Sequence, residues 1–157
     1  MINQEILDKI IPITDEERVI LLGEGVDKNI YTTTDDSVVR SKKFLDFGGL
    51  IRVRKHTRFV HFPEHTHDYI EVVYMCRGET THIINGKKIK LCEGELLFLG
   101  QNATQEILPA EEGDIAINFI IQPAFFDKTI EMIGTEETPI KNFLISSLFD
   151  EDYQGYC

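Results

Sequence analysis

The stretch PEHTHDYIEVVYMCRG, Pro63 to Gly78, decides how the chain is read. His65, His67 and Glu71 share one parity along it. Alternate residues of a strand project to one face, so a continuous extended segment would aim two imidazoles and a carboxylate into one space. Such a cluster suits a divalent metal or a small polar ligand.

Downstream, Tyr69 to Arg77 is apolar on both parities, with Val73 and Met75 on the Glu71 side and Ile70, Val72 and Tyr74 on the other. A strand of this kind is covered on both faces, and the cover can come from terminal helices or a second subunit. Around it run short β-type segments: Leu50 to Arg54, Thr57 to Phe62, Thr80 to Ile84, Lys88 to Leu91, Leu96 to Leu99, Gln105 to Leu108 and Ile115 to Gln122. Many short strands separated by turn signals argue for a sandwich or barrel. The clearest turn is Asn85-Gly86, whose residues accept positive φ and suit a type I′ hairpin. That register sets His82 opposite Ile89 and Thr80 opposite Leu91.

The flanks change period. Ile6, Leu7, Ile10 and Ile11 fall at helical spacing before Pro12, and Thr14 with Glu17 reads as a capping box for a second short helix. Asp27 to Lys43 is polar and reads as an arm, and Phe44 and Leu45 return the chain to the core. After Pro123, the residues Phe125, Phe126, Ile130 and Ile133 line one helical face up to Gly134. Thr138 as N-cap and Pro139 at the first position open another helix, with Ile140, Phe143, Leu144, Ser147 and Leu148 on one side. Asp150 to Cys157 has the character of a linker. The organisation expected is therefore 1–49 helices and arm, 50–122 barrel, and 123–157 terminal helices with the start of a linker, all in one structural domain.

At 157 residues and 42% apolar content, such a domain buries roughly two thirds of its unfolded surface and needs no metal staple. A formal charge of -11 repels nucleic-acid phosphates and anionic membranes. Between Ser37 and Cys92, however, 11 basic residues stand against 5 acidic ones. Arg52, Arg54, Lys55 and Arg58 there read as a solvated basic face, or as a ring for an anionic ligand. His56 and His61, in the same region, read as surface or strand residues. Cys76, Cys92 and Cys157 lack metal-type spacing, Cys76 and Cys92 read as small buried hydrophobes, and no apolar run resembles a leader or a membrane span. The expected compartment is the cytoplasm.

His-x-His, three residues, Glu, six residues, Gly is the first signature of the cupin family, and His65, His67, Glu71 and Gly78 meet it at every spacing. The family's opening glycine is Phe59 here. Its second signature aligns at Gly94 as GELLFLGQNATQEILP, with Gln105 at the histidine position and Pro109 at the asparagine. With its N-terminal arm and trailing helices, the chain resembles the sensor domain of AraC-type transcription regulators. The resemblance implies a mainly β cupin fold, a double-stranded β-helix or jelly-roll barrel with short N-terminal helices and two C-terminal α-helices. It implies a small polar effector, such as a sugar, bound by His65, His67, Glu71, His82 and Gln105, in a homodimer. DNA would be bound through a helix-turn-helix domain absent from this chain. No cofactor is expected. The alternative is a stand-alone metal-dependent dioxygenase or isomerase, with His65, His67, Glu71 and Gln105 around a divalent transition metal.

Overall fold

In the computed structural model, residues 3–25, 37–45, 48–126, 130, 137–150 and 152–157 are described. The Asn85-Gly86 turn takes the conformation its residues favour, with φ of 50° and 77°. It joins β5 (Glu79–Ile84) to β6 (Lys87–Cys92) with His82 opposite Ile89 and Thr80 opposite Leu91, as the turn type requires.

Nine strands among the described residues make two sheets. One has the order β1-β3-β8-β5-β6 and the other β2-β9-β4-β7. The further strands are β1 (Val38–Val39), β2 (Ile51–Lys55), β3 (Phe62–His67), β4 (Ile70–Arg77), β7 (Leu96–Leu99), β8 (Gln105–Ile107) and β9 (Ile115–Ile121). Every pairing is antiparallel except β1 with β3. The result is a cupin-type β-barrel. Thr57 to Phe62, expected as a strand, is irregular up to Phe62, where β3 begins. Phe59 sits at φ 70° in that stretch, a left-handed backbone that a strand does not contain.

Between the sheets, Val73, Met75, Ile84, Leu91, Leu97, Leu99, Ala103 and Ala116 form an apolar core. On the outer side of β4, Ile70 and Val72 pack with Phe126, Phe143 and Leu144. At the other end of that face, Cys76 and Tyr74 meet Leu7, Ile10 and Ile11. The terminal helices thus supply the second cover that the doubly apolar strand demands.

Those helices are α1 (Gln4–Ile10), α2 (Asp15–Leu21) and α3 (Pro139–Phe149). Thr14 and Glu17 make both bonds of a capping box, and Thr138 caps α3 with Pro139 at its start. Pro123–Phe126 is one 3-10 turn. The helix expected through Ile133 and most of the arm from Asp27 lie outside the described residues.

Of the basic stretch, Arg52 is exposed as a solvated face would have it, whereas Arg54, Lys55 and Arg58 are turned to acidic partners. Arg58 and Glu17 are both fully buried, with Arg58 Nε and Nη2 donating to the Glu17 carboxylate at 2.7 and 2.8 Å. Lys55 Nζ donates to it at 3.0 Å, and Arg58 Nη1 donates to Glu112 O at 2.6 Å. Arg54 pairs with Glu16 at 3.4 Å, and its guanidinium lies over Phe44. The acidic edge of α2 consumes these cations and fastens the N-terminal helices to the barrel.

Two further expectations change. The tail is no free linker: Tyr156 bridges Leu99, Phe98 N donates to Cys157 O at 2.7 Å, and Cys157 N donates to Phe98 O at 2.9 Å. The exposed edge of β7 is paired by the chain itself, which removes unsatisfied backbone groups. Cys76 is buried as expected, but Cys92, at the end of β6, is exposed.

Candidate functional site

The signature residues do not lie on one strand. His65 and His67 are on β3 and Glu71 is on β4, which belongs to the other sheet. The turn between them folds the motif across the barrel, so convergence comes from facing sheets and not from shared parity. Gly78 ends the motif at φ 77°, and a Cβ there would collide with Asp114. Asp114 Oδ1 also accepts from Glu79 N, which locks the end of β4 to the loop before β9.

His67 is held by its own turn. Its Nδ1 donates to Tyr69 O at 2.7 Å and its ring stacks on Tyr69 at 4.4 Å between centroids. With Nδ1 as donor, Nε2 carries the lone pair. That nitrogen faces Glu71 Oε2 at 3.8 Å, beyond hydrogen-bond length. His65 Nδ1 donates in the same way to Pro63 O at 2.8 Å, and His65 pairs with Gln105 across β3 and β8.

Gln105 takes the role of connector. Its Nε2 donates to His82 Nδ1 at 3.1 Å, His82 Nε2 donates to Thr80 Oγ1 at 3.0 Å, and that hydroxyl meets Met75 Sδ at 3.6 Å. His82 is therefore fully satisfied inside the barrel wall. Gln105 also lies near enough to Glu71 and His65 to act on their ionisation.

Two residues join the group that sequence reasoning did not place there. Asn118 on β9 donates from Nδ2 to Glu71 Oε1 at 2.9 Å. Its signal was a lone polar residue inside the apolar run IAINFII. His56, expected as a surface or strand residue, is buried just beyond β2, 6.0 Å from His82 between ring centroids. Its backbone N–H donates to Ala116 O, which carries the chain inward, and no pattern in the sequence marks that turn. His61 stays half-exposed and pairs with Glu106.

Burial dominates the electrostatics. It lowers His82 to about 3 and His56 and His67 to about 4, and it moves His65 in the same direction. Burial also raises Glu71 to about 7, against the opposing pull of Asn118, Gln105 and Arg54. At neutral pH the histidines are uncharged acceptors or donors, and Glu71 is poised between acid and carboxylate.

Four buried polar atoms here have no hydrogen-bond partner among the described residues: His56 Nε2, His67 Nε2, Glu71 Oε2 and Asn118 Oδ1. Asn118 is close enough to His56 to raise its pKa, yet the two fall short of bonding geometry. Buried groups of this kind are rare in folded proteins, and their clustering in one place makes this the candidate binding site.

The first signature implies a metal, so the donors were weighed against one. Among the described residues no three His, Cys, Asp or Glu side chains are grouped to hold a metal ion. Gln105, which stands where a fourth ligand is expected, directs its amide nitrogen at His82. The set His65, His67, Glu71 and Gln105 therefore does not fit a metal in this arrangement.

The sequence is 35% identical over 52 residues to the HTH-type transcriptional activator RhaS of Pectobacterium carotovorum subsp. carotovorum (strain PC1), covering 33% of this chain and 19% of that protein. The chain thus spans about a fifth of the length of the curated relatives it matches. Among solved structures, a cupin protein from Bacteroides fragilis aligns with 19% identity and a TM-score of 0.40, covering 57% of this chain and 80% of that one. The EutQ protein of Clostridium difficile aligns with 21% identity and a TM-score of 0.39, covering 46% of this chain and 55% of that one. The sequence profile of the AraC-like ligand binding domain matches residues 47–137, more than half of the chain, and the chain belongs to that family.

Proposed function

We propose that this chain is the effector-sensing part of an AraC-type transcription regulator, binding a small polar molecule between its two sheets. The observation that carries the reading is the set of unpartnered buried atoms on His56, His67, Glu71 and Asn118, set against a satisfied and apolar remainder of the barrel. His65, His82 and Gln105 shape the group and fix its orientation.

The role is regulatory and not catalytic, in keeping with the family and with the named activator it resembles. DNA would be reached through a further helix-turn-helix domain, in a homodimer. Among the described residues no helix is long and apolar enough to cross a membrane. The proposed setting is the cytoplasm. Binding would act by shifting populations: a ligand that favours one packing of the terminal segments over another moves the equilibrium by its difference in affinity.

A thermal-shift screen of sugars, polyols, amines and small acids tests this. A ligand at a hundredfold excess over its Kd raises stability by about 2.7 kcal/mol, well within detection. A sensor responds to at least one class; no response from any class at millimolar concentration counts against the reading.

A further inference from the structure

Resting on that reading, we propose that the molecule bound between the sheets is a small primary ammonium compound, with its nitrogen between His67 Nε2 and Glu71 Oε2. His67 Nδ1 is committed to Tyr69 O and His65 Nδ1 to Pro63 O. Gln105 Nε2 serves His82, His82 Nε2 serves Thr80, and Asn118 Nδ2 serves Glu71 Oε1.

With Glu71 ionised, as a bound cation would favour, what remains is acceptor in character: the His67 lone pair, Glu71 Oε2 and Asn118 Oδ1. An alkylammonium has three N–H donors and no lone pair, so it can satisfy all of these and leave nothing of its own unpaired. A hydroxyl brings one donor for these three acceptors, and lone pairs that only a His56 Nε2–H or the second amide N–H of Gln105 or Asn118 could meet, and a carboxylate brings acceptors alone. Unpaired polar atoms in a buried site are costly, so the complement selects by class.

The spacing agrees. A nitrogen at about 2.8 Å from both His67 Nε2 and Glu71 Oε2 spans their 3.8 Å separation at an angle of about 85°, within the range of bent N–H bonds. Arg54 lies near Glu71 and would oppose a cation, but its own charge is turned to Glu16 and to the Phe44 ring. The formal charge of -11 favours the approach of cations at long range.

The test follows histidine imidazole NMR signals of the full chain while propylamine, 1-propanol, glycerol and propionate are added separately at neutral pH. Propylammonium should move the His67 and His56 signals with a Kd at least tenfold below that of 1-propanol or glycerol, and propionate should leave them unmoved. Glu71→Gln, which keeps the shape and removes the charge, should weaken propylamine at least tenfold and leave 1-propanol unchanged. Equal or tighter binding of either alcohol at these signals overturns the ammonium assignment and leaves the binding site standing. Propylamine binding that Glu71→Gln does not alter, or that leaves the signals unmoved, also overturns it. If none of the four moves the signals the assignment falls, and the sensor reading is then judged by its own wider screen.

Discussion

Replacing Glu17 by alanine strands the Arg58 guanidinium inside the protein. Both side chains are at 0% exposure, and Arg58 would keep only its bonds to the carbonyls of Glu112 and Ile11. Breaking a buried pair by removing one partner costs about 3–5 kcal/mol, because the remaining charge has left water without compensation. The capping bond to Thr14 N is lost as well, which adds about 1 kcal/mol. The ionisation of Glu17 gives an independent figure. Burial alone would raise its pKa, but Arg58, Thr14 and Lys55 outweigh burial and hold it at about 2 against an ordinary value of 4.5. That difference corresponds to about 3 kcal/mol. Domains of this size are stable by only about 5–15 kcal/mol, so the substitution should remove a large share. Urea unfolding followed by circular dichroism should show a midpoint lowered by about 2 M, for a slope of about 2 kcal/mol per M. The sign in pH is fixed: a depressed carboxylate stabilises above its unfolded pKa of 4.5, and the contribution disappears as pH falls through about 2. The Glu17→Leu/Arg58→Met double variant should recover most of the loss. A Glu17→Ala loss below about 1 kcal/mol would refute the idea that this pair fastens the N-terminal helices.

Gly78→Ala should destabilise by about 2 kcal/mol or more in the same assay, since it combines positive φ with a clash against Asp114; a near-neutral effect would show that the loop relaxes freely. The histidines and Glu71 pull stability in opposite directions with pH. His56, His67 and His82 are depressed, so their contribution is present above 6.5 and falls as pH drops from 6.5 through about 4 and about 3. Glu71 is raised, so its contribution is present below 4.5 and is lost as pH rises through about 7. Glu71→Gln should therefore gain stability relative to the parent protein between pH 5 and 8, as measured by thermal unfolding across that range; a constant difference would contradict the raised pKa.

The barrel was legible because its signals are local. Asn85-Gly86 dictates a turn whose register follows from its type, and β4 declares its double cover through two apolar parities. The capping box at Thr14 and Glu17 was equally plain, yet nothing local says that Glu17 reaches 41 positions along the chain to Arg58. The basic run therefore read as surface. His56 was missed for a similar reason, since its burial follows from where the chain goes after β2 and not from its neighbours in sequence. In the candidate site, residue types and spacing pointed to His65, His67, Glu71, His82 and Gln105, which the fold brings near one another. Shared parity suggested one strand for three of them, where the chain in fact turns between sheets. The docked tail was read as linker because its pairing with β7 is made by backbone groups, which composition does not reveal.

The central claim is that the polar cluster between the sheets is where an effector binds. The most direct measurement is isothermal titration of a ligand from the screen into the parent protein and into a folded His65→Ala/Glu71→Ala variant. The account predicts that affinity falls at least tenfold, about 1.4 kcal/mol or more, while circular dichroism stays native. Unchanged affinity in the folded variant would place the ligand elsewhere and contradict the account.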